Sequence, residues 1–174
     1  MADKEAAAKQ DPSAEGANLP LFYKQPTPLD SKKHVALGLK KDFGLGFTKE
    51  VNAVPINMIE MPQICHFYPI AFSPDNNATP VALVVLRDNE NLFVDQKGDW
   101  QTNTYIPAYI RRYPFIFSEV PGSDQLTLCI DMSDDVVGEK SEQKFFNESG
   151  EPTQLAQNAL EFCKIIPCGR PANR

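Results

Sequence analysis

The sequence contains no long apolar run. Its longest candidate, Pro80–Leu86, stops at Arg87, well short of the roughly 20 apolar residues that a membrane-spanning helix requires. The first 18 residues carry charge and have no apolar stretch of the kind that signal peptides contain. We therefore expect a soluble protein without a membrane span, with the cytoplasm as its default location.

Histidine and cysteine are also scarce, with two histidines and four cysteines in 174 residues. The cysteines form no C-x-x-C pair and no spacing of a small disulfide framework, so buried thiols are expected. A zinc site would need the histidines to converge with distant cysteines. No G-x-S-x-G elbow and no complete phosphate-binding glycine motif is present. The sequence therefore predicts neither a metal nor a cofactor, and it identifies no catalytic residue.

Positive charge is in short supply, because 17 Lys and Arg against 23 Asp and Glu leave a net charge of −6. A nucleic-acid surface needs a positive field, so nucleic acid is not an expected partner. The acidic cluster Asp131, Asp134, Asp135 and Glu139 lacks the ordered ligand spacing of a calcium-binding loop. We expect these carboxylates to lie on a solvated surface.

The stretch Asn91–Phe117 contains the single tryptophan and the densest group of aromatic and arginine residues. Its first part, residues 91–94, continues the apolar run 80–86 across a short polar interval, which predicts a β-hairpin. The earlier strand is apolar on both faces and should be central in its sheet. Between two prolines a short helix is predicted over Ala108–Tyr113, and it must be held by tertiary contacts.

The remaining segments predict an antiparallel sheet with short helices on one side and at the end. Strands are expected at 34–39, 69–72, 115–118 and 125–131, a short helix at 59–67, and an extended arm at 19–29. Helical spacing over the last part predicts an amphipathic helix with the stripe Leu155, Ala159, Phe162, Cys163 and Ile166. The predicted fold is one α+β domain over 19–166, between a disordered tail at 1–18 and an irregular tail at 167–174.

Candidate ligand-binding residues lie in the central stretch: Trp100, Tyr105, Tyr109, Arg111 and Arg112. The aromatic rings can stack on a sugar or a peptide aromatic; the alternative is a core or lid role. Adjacent helical residues point about 100° apart, so only one arginine can face a given partner. We expect one to pair with a carboxylate such as Asp95 or Asp131 and the other to be available for a ligand carboxylate or phosphate. The alternative is that both arginines are structural or solvated.

Four runs in the chain form a specific combination: PIAF, ENLFVDQKGDW, YIPAYIRRYPF and LCID. Together with the earlier segments LFYKQPTPLDSKKH and NAVPI, they make the chain resemble the bacterial SapC family from about Leu21 to about Cys163. The family takes its name from a protein associated with a paracrystalline surface layer. The resemblance implies a link to the surface layer or envelope, and it makes a surface-associated location the alternative to the cytoplasm.

Two functional hypotheses follow. The resemblance favours a non-enzymatic accessory protein that acts by binding a protein or a small-molecule ligand that the sequence does not identify. The alternative is a small-molecule sensor or an enzyme with a pocket at Trp100–Arg112, which would require several convergent polar groups in a concave site.

The end of the chain departs from the family pattern. After Cys163 the sequence IIPCGRPANR loses both the helical pattern and the resemblance, whereas the family continues into a further C-terminal portion. This difference favours a truncated or divergent C-terminus. Such a chain would leave apolar surface uncovered, and exposed apolar patches favour self-association.

Overall fold

The computed structural model describes residues 19–40, 44–74, 76–85, 90–119, 126–133, 135–139 and 141–165. Over these residues the protein has the predicted α+β architecture, with three small antiparallel sheets and short helices. The strands are β1 (Pro26–Pro28), β2 (Gly38–Leu39), β3 (Ala53–Pro55), β4 (Ile70–Phe72), β5 (Pro80–Leu83), β6 (Phe115–Glu119), β7 (Leu126–Asp131), β8 (Val137–Gly138) and β9 (Gln143–Lys144). The helices are α1 (Met61–Ile64), α2 (Ala108–Arg112) and α3 (Gln154–Ile165), with 3-10 turns at Gly46–Thr48 and Met58–Glu60. The two predicted tails, 1–18 and 167–174, lie outside the described residues.

The first sheet has the order β1-β7-β6 and confirms the strands predicted at 115–118 and 125–131. β6 and β7 pair antiparallel along their length, with Phe115 opposite Ile130. The predicted arm adds β1 to the other side of β7, with Thr27 opposite Ile130. Two prolines are tolerated in β1 because an edge strand leaves one side without ladder hydrogen bonds.

The second sheet has the order β3-β5-β4 and shows that the predicted hairpin is wrong. β5 is central, as its apolar faces predict, but its partners are β3 and β4. Both edges of β5 are therefore occupied, and residues 91–94 have no edge to join. They form a turn with an isolated bridge to Trp100. The side chain of Asn91 fixes this turn, because Nδ2 donates to the carbonyl of Thr48 (3.0 Å) and Oδ1 accepts from the amide of Phe93 (2.9 Å).

The third sheet, β8-β2-β9, contains only the last two residues of the strand predicted at 34–39. The amide of His34 donates to the carbonyl of Asp30 (2.9 Å), which closes a turn where the strand was predicted to begin. Gly38 permits the close pairing, because a Cβ there would collide with the backbone of Gln143 in β9.

The helices agree with the sequence in position more closely than in length. The helix predicted over 59–67 is reduced to α1 and the 3-10 turn before it. The helix predicted over Ala108–Tyr113 is α2, with Tyr113 as its C-cap residue. The predicted terminal helix is α3, which is the longest helix among the described residues.

Two clusters of buried side chains form the interior of the described chain. The first core contains Tyr23, Leu39, Tyr113, Phe115, Ile116, Cys129, Ile130, Val136, Phe145, Phe146 and Cys163. The second core contains Val51, Val54, Ile56, Ile64, Tyr68, Ala82, Val84 and Ile110. Phe22 and Phe47 pack against both cores. Helix α2 joins them as well, since Ile110 belongs to the second core and its cap residue Tyr113 to the first.

Candidate functional site

A groove of about 330 Å³ opens between α2, the start of β6 and α3. Its lining consists of Leu39, Arg111, Arg112, Tyr113, Pro114, Phe115, Leu155, Asn158, Ala159, Phe162 and Cys163. In the described part of the chain, this lining is mainly apolar and its charged side chains are the two arginines. The volume lies at the lower end of the range found for small-molecule sites.

Helix α3 forms one wall of the groove through its apolar stripe. Leu155, Ala159 and Phe162 line the groove, and Cys163 is buried beside them, as the helical period of the sequence predicts. A helix with one apolar face must bury that face against other elements. The last residue of the predicted stripe, Ile166, lies outside the described residues.

Arg111 stands at the exposed rim of the groove, held between two aromatic rings. Its guanidinium carbon lies 5.3 Å from the ring centroid of Tyr105 and 5.2 Å from that of Phe162 in α3. Nε donates to the carbonyl of Ile106 (3.0 Å), and Nη2 donates to the hydroxyl of Tyr105 (2.9 Å). For Nη1 the described residues provide no hydrogen-bond acceptor, and the side chain is 41% exposed. The guanidinium is thus oriented by its neighbours while its Nη1 edge remains accessible.

The carboxylate that contacts Arg111 is Glu60, at 3.8 Å from Nη2. Glu60 is buried, and its Oε1 accepts hydrogen bonds from the amide of Ala108 (2.7 Å) and the hydroxyl of Tyr105 (2.9 Å). These donors already stabilise the carboxylate, so it does not form a close two-bond pair with the guanidinium. Burial, together with the hydrogen bond to Glu60 and its charge, raises the pKa of Tyr105.

Arg112 is buried, whereas Arg111 is exposed. Its side chain is 2% exposed. The guanidinium carbon lies 4.4 Å from the ring centroid of Tyr109 and 5.9 Å from that of Tyr23. The hydroxyl of Tyr109 donates to the carbonyl of Leu21 (3.4 Å). The two arginines differ in exposure because adjacent helical residues point in different directions.

Trp100 is not part of the groove lining and packs against the second core. Its indole stacks on Phe93 at a centroid distance of 6.1 Å, and Nε1 donates to the hydroxyl of Tyr68 (3.3 Å). That hydroxyl donates to the carbonyl of Tyr105 (2.6 Å). Of the five predicted ligand-binding residues, the structure places the two arginines in the groove lining and the two tyrosines against them. A ligand-binding role for any of the five stays a prediction.

Glu60 was not among the residues that the sequence predicted for the site. A signal was present, because Asn57 precedes Glu60 by three residues in the pattern of a capping box, and the amide of Asn57 donates to Oε2 (3.1 Å). The sequence favoured Asp95 or Asp131 as the carboxylate beside an arginine. The structure brings Glu60 to Arg111 instead, since the capping turn before α1 lies against the start of α2.

The prediction that the acidic cluster lies on a solvated surface is wrong for one member, Asp131. Asp131 is 0% exposed and accepts hydrogen bonds from the amides of Lys24 (2.8 Å), Gln25 (3.1 Å) and Ser133 (3.1 Å). It also accepts from the hydroxyl of Tyr113 (3.2 Å). Burial, followed by the charge of Asp131, raises the pKa of Tyr113 to about 12. The other described members of the cluster are exposed, as predicted.

The described residues contain no group of three or more His, Cys, Asp and Glu side chains arranged to hold a metal ion. Within the same residues, no helix has both the length and the apolar character needed to cross a membrane. The described cysteines Cys65, Cys129 and Cys163 form no disulfide.

Comparison with known proteins gives one family. A family model described as SapC matches residues 29–173. The match covers most of the chain and extends past Cys163, so it includes residues that the sequence resemblance left out. No curated protein matches the chain, and no solved structure matches it.

Proposed function

The chain belongs to the SapC family, and we propose that it is an accessory protein that acts by binding rather than by catalysis. The proposed setting is the surface layer or envelope of a bacterium, to which the family is linked by name. The groove between α2 and α3 is the proposed binding site. The observation that carries the proposal is the combination, in one groove, of an apolar wall and the accessible guanidinium of Arg111.

The side chains around the groove support binding over catalysis. Its described lining includes no aspartate, glutamate, histidine, serine or lysine to serve as a general base, and its one thiol, Cys163, is buried. The hydroxyl of Tyr113 donates to Asp131, and its pKa is raised to about 12, so it is protonated at neutral pH. These features suit a site that holds a ligand without changing it.

The alternative function is a small-molecule sensor or an enzyme with its pocket at Trp100–Arg112. The groove at Arg111 favours the sensor, because its volume suits a small ligand. Trp100, at the start of that segment, supports neither a sensor nor an enzyme, because its Nε1 donates to the hydroxyl of Tyr68 and its ring packs against the second core.

A matched pair of tryptophan substitutions on α3 tests the proposal. Asn158 and Gln157 are adjacent and exposed, but only Asn158 lines the groove. We expect the natural chain and Gln157→Trp to co-sediment with isolated envelope fragments of the source bacterium. Asn158→Trp should reduce the bound fraction about tenfold, because its ring covers the groove.

Two outcomes would contradict the proposal. A chain that stays in the supernatant would argue against an envelope role. Equal retention of the Asn158→Trp and Gln157→Trp variants would show that the groove is not the binding site. Thermal unfolding of both variants provides the control for folding.

A further inference from the structure

We propose that the ligand of the groove is a small amphiphile, with a single carboxylate attached to an apolar chain. This inference rests on the proposed function, because it names the ligand class of the same site. Three features of the groove favour such a ligand: the charge at its rim, its apolar walls, and the small number of polar partners inside it.

The charge at the rim selects an anion. The guanidinium of Arg111 is fixed between the rings of Tyr105 and Phe162, and its Nη1 edge has no acceptor among the described residues. Glu60 lies at 3.8 Å and already accepts from Tyr105 and from the amide of Ala108. Oriented guanidinium groups bind carboxylates with charge-assisted hydrogen bonds. The described lining contains two arginines and no lysine, and of the two only Arg111 is exposed. One exposed guanidinium suits a single negative charge better than a phosphate, which carries more.

The walls behind Arg111 select an apolar body. Leu39, Pro114, Leu155, Ala159 and Phe162 surround the groove. A hydrocarbon chain bound there would bury its own apolar surface and that of the lining side chains. This burial is the main favourable contribution to binding in apolar sites. The charged group then remains at the rim, where it keeps contact with solvent.

The polar groups inside are too few for a peptide. The amide oxygen of Asn158 accepts from Nε2 of Gln154 (2.8 Å), and the hydroxyl of Tyr113 donates to Asp131 (3.2 Å). A peptide segment would bury backbone N–H and C=O groups that need partners, and buried polar groups without partners are costly. A hydrocarbon chain has no such groups, so the interior of the groove fits it better.

Calorimetric titration of the full chain with decanoate and with 1-decanol tests the proposal. The two probes share their chain length and differ in the carboxylate. We expect decanoate to bind one site at least about tenfold more tightly than decanol, because only decanoate engages Arg111. Asn158→Trp should weaken both probes, whereas the control Gln157→Trp, which lies outside the groove lining, should weaken neither.

Variants of Arg111 show whether the carboxylate is recognised there. Arg111→Gln should lower the decanoate affinity about tenfold and leave the decanol affinity unchanged. Arg111→Lys keeps the charge and should retain more of the decanoate affinity. If Arg111→Gln instead weakens both probes alike, its effect comes from a loosened α3, and the proposal is overturned.

Further outcomes test the ligand class and the envelope role. Equal affinities of the natural chain for decanoate and decanol would overturn the inference, as would the absence of binding. Tighter binding of an acetylated leucine-rich pentapeptide with a free C-terminal carboxylate would overturn it in favour of a peptide ligand. Co-sedimentation with envelope fragments without decanoate binding would overturn this inference alone. Decanoate binding without co-sedimentation would overturn the envelope role alone.

Discussion

Each core of the described chain has a buried carboxylate beside it, and the surroundings of the two carboxylates differ. Asp131, beside the first core, is fully buried and accepts from three backbone amides and a tyrosine hydroxyl. Glu60, beside the second core, accepts from the amide of Ala108 and the hydroxyl of Tyr105, and lies 3.8 Å from the exposed Arg111. The first network includes Tyr113 from the groove lining but no exposed charge, while the second reaches the exposed Arg111 at the rim of the groove. The buried Asp131 therefore holds the arm before β1 in place, whereas the buried Glu60 helps to position Arg111 at the rim of the groove.

The largest expected effect comes from the first core itself. Phe145 is fully buried and lies edge-to-face with Phe115 at 6.0 Å. Phe145→Ala should lower the free energy of unfolding by about 4 kcal/mol, and Ile64→Ala in the second core by about 3 kcal/mol. Urea titration followed by circular dichroism and by Trp100 fluorescence measures both. Because α2 is shared, we expect coincident transitions; separate transitions would show that the cores unfold independently.

Asp131→Asn should destabilise the protein by about 3 kcal/mol. The amide group of asparagine places a donor where the carboxylate accepts from backbone amides, and hydrogen bonds to a charged group are stronger than neutral ones. The exposed Asp135→Asn is the matched control and should change stability by less than about 0.5 kcal/mol. Decanoate affinity should remain within about twofold in both variants. A marked loss of affinity in Asp131→Asn alone would break the distinction between the two carboxylates.

Glu60→Gln should destabilise the protein by about 2 kcal/mol, because one strong acceptor of the Ala108 amide is weakened. Unlike Asp131→Asn, this change should also alter the groove. Removing the negative charge next to Arg111 lessens its repulsion of a ligand carboxylate, so decanoate should bind about threefold more tightly. Calorimetry on the two variants side by side measures the contrast. Unchanged affinity would mean that the Glu60 network does not reach the ligand.

The smallest effect is a dependence on alkaline pH. The pKa of Tyr113 is raised to about 12 in the folded protein, against about 10 for tyrosine in an unfolded chain. The folded state therefore binds more protons between pH 10 and 12, and stability falls as pH rises through this range. Tyr113→Phe should remove this part of the slope and cost about 1 kcal/mol at neutral pH, for the lost hydrogen bond to Asp131. The measurement is the difference between denaturant titrations of the two chains at pH 9 and pH 11.

The sequence predicted the elements whose local pattern and tertiary setting agree. The period of Leu155, Ala159 and Phe162 requires an apolar surface to pack on, and α3 has one. Proline at both ends defines α2 whatever surrounds it. Two apolar segments close in sequence predict a hairpin, but the nearest segment is not the partner of β5. Strand pairing is decided in the folded sheet, where β3 and β4 occupy both edges of β5 and leave none for residues 91–94.

The two arginines of the candidate site were predicted from the sequence, whereas the carboxylate beside Arg111 was not. Arg111 and Arg112 stand out as adjacent charges in an aromatic run, and their difference in exposure follows from helical geometry. Glu60 belongs to a capping turn about fifty residues earlier in the chain, and its contact with Arg111 exists only through tertiary folding. The burial of Asp131 has the same origin, because its partners come from the arm before β1. Local sequence patterns predict which residues share a face of a helix or strand. They do not predict which residues distant in the sequence will contact them.

The sheets also differ in how far apart along the chain their strands lie. β3, β4 and β5 fall within residues 53–83, whereas Pro26 of β1 pairs with Asp131 of β7. On a ribosome, all residues of the second core are synthesised before those of β7 and α3. We therefore expect the strands of the second sheet to pair early in synthesis. The arm that forms β1 can pair only after β7 has been made. Among these features the groove is completed last, since its outer wall is α3, so a nascent chain acquires the proposed ligand site only after α3 has been made.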